Sequence, residues 1–299
     1  MTAKHAPKGD LSGVQGPSAR ANIYALLFLL YWLLSPYAFY PLIDSGSMSL
    51  FVYSATMLIL RFLPPVLLYF LLTRKRPRTA LSMAPLSLTN VLYIAVITTS
   101  VRVIEFLLEF GLPLVLRLEP PQMPSMGPIW VHLVVTALIA VICRELLIRG
   151  VLYSEYQSQG VSIQKTALVT GLFFGLTHTG LVGITASTLL GILWAYLLYY
   201  TRSIWAPALS HALYNALWQL HPAFRVDSQA DFEAALPGFV GILAFAALLA
   251  IPALLICAKQ FWAENQRPQE PCAKESKTFT RSYWALIAIM LLVIVLVLI

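Results

Sequence analysis

The feature that most constrains this chain is its series of long apolar runs. Nine of them can be placed at 22–43, 48–73, 89–116, 128–149, 164–179, 181–200, 204–220, 237–258 and 282–299. An apolar run of roughly 17 to 25 residues crosses the hydrocarbon core of a bilayer as one helix, because a helix satisfies its own backbone hydrogen bonds there. Only 11% of the residues are charged, against about 25% in soluble domains. The sequence therefore predicts an all-α, polytopic membrane protein with about nine transmembrane helices.

The positions of Lys and Arg predict how the chain is oriented. Basic residues occur in every second predicted loop: in the tail at 1–20, at 74–78, at 149–165, at 202 and at 259–281. Loops rich in Lys and Arg stay on the cytoplasmic side of a membrane. We therefore expect an integral protein of the bacterial plasma membrane with a cytoplasmic N-terminus. The net charge of +7 needs no nucleic-acid partner, because basic loops facing anionic membrane lipid account for it.

Composition divides the chain into four parts. A polar cytoplasmic tail, 1–20, precedes N-terminal transmembrane helices at 21–120, a core at 128–220 and C-terminal helices at 221–299. The last part contains a stretch rich in Pro and charged residues, 259–281, which is typical of a cytoplasmic linker.

Two groups of ionisable residues fall inside the predicted membrane helices. A charged side chain at that depth costs about 2.5 to 3.5 kcal/mol on insertion scales, so each one requires a partner or a function. The first group is Arg61, Arg102, Glu105 and Glu109. We interpret this group as an ion-pair network that joins helices.

The second group contains the residues suited to chemistry. Glu145 and Arg149 are four residues apart and share one face of the fourth predicted helix, which predicts an ion pair. The fifth run ends at His178, and His211 and Asn215 share one face of the seventh. Because buried polar groups need one another in lipid, we expect these side chains to converge on one cavity in the cytoplasmic half of the membrane.

This set of side chains is sufficient for peptide hydrolysis. A carboxylate with a His can take a proton from water, and a second His with an amide can stabilise the oxyanion that follows. The set requires no cofactor for this chemistry. Alternatively, Glu145, His178 and His211 could hold zinc with an open position for water, although the HExxH spacing of soluble zinc proteases is absent.

Three motifs within 128–220 resemble the CPBP family of CAAX prenyl endopeptidases and bacteriocin-processing or self-immunity proteins. They are Glu-x-x-x-Arg-Gly at 145–150, Phe-x-x-x-His at 174–178, and Ser-Ile-Trp-Ala-Pro at 203–207 followed by Ser-His-x-x-x-Asn at 210–215. The resemblance implies an intramembrane endopeptidase that acts on a membrane-tethered or lipidated peptide. It also implies that His178 helps a glutamate to activate water, that His211 and Asn215 form the oxyanion hole, and that Phe174 packs beneath the site.

One position departs from the family pattern. The first of two adjacent glutamates, which the family uses as the base, is Arg144 here, and Arg cannot accept a proton at physiological pH. Three alternatives follow. Glu145 is the base, or a carboxylate such as Glu105 or Glu109 reaches the site, or the chain is a non-proteolytic binding or regulatory protein, of the immunity or sensor-partner type, that uses the same cavity. A transporter is less favoured, because the chain shows no paired repeat halves.

The predicted end of the fourth helix at 149 places Arg144 close to the cytoplasmic interface. A long Arg side chain can extend about one turn to reach headgroups. We therefore expect its guanidinium to point to the interface or to Glu155. An inward orientation, toward His178, would favour the non-proteolytic alternative.

Overall fold

The computed structural model describes residues 18–39, 49–75, 81–117, 128–219, 228–266, 274 and 276–298. These residues form nine helices and no strand: α1 (Ala19–Phe39), α2 (Leu50–Thr73), α3 (Leu88–Leu116), α4 (Ile129–Ser158), α5 (Ile163–Leu176), α6 (Leu181–Thr201), α7 (Trp205–Gln219), α8 (Gln229–Glu264) and α9 (Lys277–Leu298). The prediction of an all-α, polytopic membrane fold is confirmed. Most of the predicted tail and part of the predicted linker lie outside the described residues.

Seven of these helices are long and apolar enough to cross a membrane by themselves. The two others are α5, with 14 residues, and α7, with 15 residues. Most of α5 is buried, and it packs along α6. Short helices are tolerated here because neighbouring helices, rather than lipid, surround their ends.

The fourth helix extends beyond its predicted end. The apolar run predicts 128–149, whereas α4 continues to Ser158 and includes two π-helical stretches, Leu133–Ile139 and Leu146–Tyr153. A run of apolar residues marks where lipid surrounds a helix, but the backbone continues as helix wherever its hydrogen bonds do. Arg144 therefore lies about 20 Å along the axis from the end of α4, and not near the end of the helix as the predicted boundary at 149 implied.

A buried carboxylate joins several helix ends on one side of the molecule. Glu155 accepts hydrogen bonds from Tyr69 (2.5 Å) and Lys75 (2.6 Å), and it pairs with Arg20 at 3.4 Å. These contacts bring together the beginning of α1 and the ends of α2 and α4. On α9, Tyr283 donates to the backbone oxygen of Lys165, near the beginning of α5 (3.0 Å). Basic residues from separate helices thus lie at one end of the bundle.

Glycines allow α5 and α6 to pack backbone to backbone. A Cβ added at Gly191 would lie 2.8 Å from Cα of Gly171, and one added at Gly175 would lie 2.0 Å from Oγ1 of Thr188. Residues 171 and 175 follow the small-xxx-small spacing that lets membrane helices approach closely. The close approach also brings the α6 backbone next to α4.

We expect Gly191→Ala to destabilise the protein by about 1 to 3 kcal/mol, because the added methyl group meets backbone rather than a flexible side chain. The measurement is the unfolding free energy of the purified protein in a titration with denaturing detergent. Gly241→Ala on α8 is the matched control, since a Cβ there has nothing within 4 Å. Alanine favours helix over glycine, so equal effects of the two substitutions would contradict the packing argument.

Candidate active site

The centre of the candidate site is the carboxylate of Glu145, which is 2% exposed. Its Oε1 accepts a hydrogen bond from Nδ1 of His211 at 2.8 Å and pairs with Nη1 of Arg149 at 3.3 Å. The predicted pairing of Glu145 with Arg149 is therefore confirmed. The second oxygen, Oε2, is buried and has no hydrogen-bond partner among the described residues. This oxygen is an acceptor left open for a ligand or water.

Aromatic residues fix the orientation of His211. The indole of Trp194 stacks on its ring at 4.2 Å between centroids, and Phe174 meets the same ring edge-on at 5.2 Å. Trp194 donates Nε1–H to Oγ of Ser210 (2.9 Å), whose hydroxyl also bonds Thr98 at 2.6 Å. The imidazole thus contacts residues of α4, α5 and α6, and Thr98 of α3 bonds the Ser210 hydroxyl that also holds Trp194.

His178 lies on the other side of Phe174. The rings of Phe174 and His178 are 4.9 Å apart, and Nδ1 of His178 lies 3.1 Å from the backbone oxygen of Phe174. A carbonyl only accepts, so Nδ1 carries the proton and Nε2 is the free acceptor of the neutral ring. His211 and Arg144 both lie within electrostatic range of His178. The ring of Phe174 therefore contacts both histidine rings, and its place beneath the site stays a prediction.

Asn215 bonds the backbone of α4. Its Nδ2 donates to the backbone oxygen of Thr136, in the first π-helical stretch of α4, at 2.7 Å. One amide N–H remains for a ligand. His211 donates Nδ1–H to Glu145, so Nε2 of the neutral ring accepts and does not donate. Of the two residues expected to form the oxyanion hole, only Asn215 retains a donor in this arrangement.

Arg144 points into the protein. Its guanidinium carbon lies 5.8 Å from the ring centres of both Phe62 and Phe174, and its Nε is buried without a hydrogen-bond partner among the described residues. Glu155, the partner expected for it, is bound to the Lys75, Arg20 and Tyr69 cluster instead. The expectation of a contact with Glu155 is wrong, because α4 continues well past Arg149 and Glu155 is bound to other residues.

The carboxylates of α3 belong to a separate network. Glu105 pairs with Arg102 at 2.6 Å and accepts a hydrogen bond from Tyr214. The Arg102 guanidinium also lies over the rings of Phe106, Tyr214 and Trp218. The predicted joining of helices by this group thus holds for Arg102 and Glu105, which contact α7 beside Asn215. Glu105 is bound to Arg102 and Tyr214, and Tyr214 lies about one helical turn after His211 on α7.

The alternative zinc ligands do not form a metal site. Within the described ranges, no group of three His, Cys, Asp or Glu side chains is placed to hold a metal ion, and Glu145, His178 and His211 are all described. The guanidinium of Arg149 lies beside the same carboxylate oxygen that His211 contacts. This arrangement of donors does not fit zinc.

Sequence reasoning missed the residues that position the site. Gly191 accepts a hydrogen bond from Nη2 of Arg149 at 2.9 Å through its backbone oxygen, and Trp194 stacks on His211. The two residues are three apart on α6, and so lie on one face of that helix. A Gly and a Trp at helical spacing read as ordinary packing residues. Only their contacts identify them.

We expect Glu145→Gln to lower the unfolding free energy by about 3 to 5 kcal/mol, because it leaves the Arg149 guanidinium buried without a carboxylate. Replacing both residues, with Glu145→Gln and Arg149→Met, should cost less than the sum of the two single substitutions. The measurement is the unfolding free energy of all three variants. Glu233→Gln makes the same chemical change at an exposed position and should have little effect; additive single substitutions would show that the pair is not coupled.

Comparison with known proteins identifies the region that contains this site. Residues 126–217 match the family model described as Type II CAAX prenyl endopeptidase Rce1-like. No curated protein and no solved structure matches the chain. The matched residues include Glu145, His178, His211 and Asn215, together with Arg144. The resemblance to the CPBP family is therefore confirmed by this match, which covers residues 126–217 of the integral membrane protein.

Proposed function

We propose that this protein is an intramembrane endopeptidase of the CAAX-protease type, with Glu145 as its base. The observation that carries the proposal is the state of the Glu145 carboxylate. Its Oε1 is held by His211 and Arg149, while its Oε2 is buried and open. A carboxylate fixed in this way presents one oxygen to a water molecule.

In the proposed reaction Oε2 of Glu145 takes a proton from water as the water oxygen bonds to the substrate carbonyl carbon. The carbonyl π electrons move onto its oxygen, and the free N–H of Asn215 stabilises that oxyanion. The C–N bond then breaks as the amide nitrogen receives the proton, which gives a carboxylic acid and an amine. His178 accepts a hydrogen bond from the water through Nε2, and His211 positions Glu145.

The substrate class follows from the surroundings of the site and from the family match. The catalytic groups lie within a bundle of apolar helices, so a substrate has to reach them from the bilayer. An Rce1-like domain supports a membrane-tethered or lipidated peptide as that substrate. The basic helix ends that meet near Glu155 support a cytoplasmic N-terminus.

A specific observation favours a second candidate function. Arg144 occupies the position of the family's first glutamate and directs its guanidinium toward Phe174, between the two histidines. A positive charge there opposes the use of that position as a base. The second candidate is therefore a non-proteolytic protein that binds a membrane peptide in the same cavity, as a regulatory or immunity partner.

The decisive measurement is cleavage of a fluorogenic prenylated peptide by the purified protein in lipid nanodiscs. We expect wild type to cleave, and Glu145→Gln to lower the rate by about 10²-fold or more, since general-base catalysis contributes about 10² to 10⁴. Glu145→Asp keeps a negative charge near Arg149, but its shorter side chain moves the carboxylate oxygen away from the water. This variant should therefore remain folded and lose most of its activity. Glu233→Gln, at an exposed position, should cleave as wild type does.

Arg144→Glu separates the two candidate functions. If the wild type does not cleave the peptide and Arg144→Glu does, the native protein lacks its base. That result would favour the non-proteolytic binding protein and overturn catalysis by Glu145. An active wild type that loses activity in Arg144→Glu supports the enzyme, because the native site then works with its arginine. Full activity in a folded Glu145→Asp variant would also exclude Glu145 as the base.

We further propose that the reaction needs no bound metal. The support is the arrangement of Glu145, His178 and His211, in which two guanidinium groups lie near the donors. Incubation with 1,10-phenanthroline, followed by its removal, should leave the cleavage rate unchanged. If the chelator abolishes cleavage, and zinc but no other divalent ion restores it, the metal-free reaction is contradicted and zinc at this site is supported.

A further inference from the structure

Two partly buried arginines lie beside the candidate site. Arg61 on α2 and Arg144 on α4 form no ion pair within the described part of the chain, and Nε of each is buried without a hydrogen-bond partner there. Arg149 differs, since it forms an ion pair with Glu145 at 3.3 Å. The Glu145 carboxylate also lies within electrostatic range of Arg144, so one negative charge stands against three guanidinium groups in this region.

The two groups face the same region. Arg61 stacks on Trp32 at 4.7 Å and donates one Nη2–H to the backbone oxygen of that residue at 3.4 Å. Arg144 lies 5.8 Å from the ring of Phe62, the residue next to Arg61 on α2. Arg61 is also within electrostatic range of Arg144. The arginines are therefore neighbours across the contact between α2 and α4.

The aromatic contacts are too weak to stabilise this arrangement by themselves. A cation–π contact contributes about 0.5 to 2 kcal/mol, whereas one charge at the centre of a membrane costs about 2.5 to 3.5 kcal/mol on insertion scales. Two like charges also repel one another strongly at low dielectric. An anion between them would offset both costs. Glu145 does not offset both charges, since its single negative charge is already paired with Arg149.

The depth of Arg144 limits what this anion can be. It lies near the middle of α4, about 20 Å along the axis from each end of the helix (Ile129–Ser158). A lipid phosphate at either end of α4 is too far away to bind Arg144. A planar carboxylate matches the paired N–H donors of a guanidinium, and a singly charged group loses less hydration than a phosphate.

We propose that Arg61 and Arg144 form a binding site for a carboxylate near the middle of α4, next to Phe174. The carboxylate is carried on an apolar ligand that enters from the bilayer or is a small free anion, and both share this chemistry. The site lies where the family pattern has a glutamate, so it is a property of this chain. It exists whether or not the cavity hydrolyses peptides.

Equilibrium binding tests this site without any cleavage step. The full chain is placed in nanodiscs of neutral phosphatidylcholine, and the probes are a long-chain fatty acid labelled at its tail and the primary amide of the same acid. Charge-assisted hydrogen bonds contribute about 1.5 to 3 kcal/mol, so the acid should bind with a Kd at least about tenfold lower than the amide. Empty nanodiscs give the background partition of each probe.

Three variants locate the site. Arg61→Gln and Arg144→Gln should each bring the two Kd values close together, and Arg144→Lys, which keeps charge without the planar fork, should retain part of the preference. Arg281→Gln makes the same change in charge at an exposed position on α9 and should keep the full preference. If the Gln variants at 61 and 144 also keep it, the carboxylate binds elsewhere and the proposal is wrong.

Competition with acetate distinguishes the two sources of the anion. Displacement of the labelled acid by acetate shows that a small free carboxylate occupies the site. Binding that acetate does not displace, but that still depends on Arg61 and Arg144, shows that the apolar tail is required. Equal affinity of the acid and the amide for wild type would overturn the site in either form. None of these results depends on whether the prenylated peptide is cleaved.

Discussion

The hydrogen bond from His211 to the buried carboxylate of Glu145 is the interaction on which the rest of the site depends. It joins α7 to α4 at a depth where no bulk water can replace a lost partner. The same carboxylate neutralises Arg149, which in turn donates to the backbone of Gly191 on α6. Three helices are thus connected through one side chain. In lipid such a connection is directional, whereas apolar contacts alone do not select one arrangement of helices.

That connection requires the close approach of α6. Arg149 can reach the backbone oxygen of Gly191 because residue 191 has no side chain, and because Gly191 packs against Gly171 on α5. The same approach places Trp194 flat on the ring of His211. The positions of the polar side chains in the site therefore depend on the packing of these small residues. The stacking also leaves His211 little freedom to serve any partner other than Glu145.

The electrostatic balance of the cavity separates this chain from the family pattern. Replacing the first glutamate by Arg144 removes one negative charge and adds one positive charge in a medium of low dielectric. Arg61, which forms no ion pair with the described residues, adds another cation nearby. The proposed carboxylate site follows from this shift in charge, whereas the proposed enzyme depends on Glu145 alone.

The sequence alone determined the class of the fold, because long apolar runs in a chain with few charges have only one stable solution in a bilayer. It also determined that Glu145 and Arg149 pair, since four residues of helix place them together. The motifs were sufficient to identify the Rce1-like domain, which a family match then confirmed. These conclusions depend on local spacing and on composition, which need no tertiary contact.

The remaining features of the site depend on contacts between helices. The end of α4 could not be read from hydropathy, because the helix continues beyond the apolar run, and the position of Arg144 was therefore mistaken. Its inward direction depends on Phe62 and Phe174 from two other helices. The roles of Trp194 and Gly191 depend on how closely α6 approaches α4. Such contacts join residues far apart in the chain, and neither spacing nor residue type specifies which of the many apolar surfaces will meet.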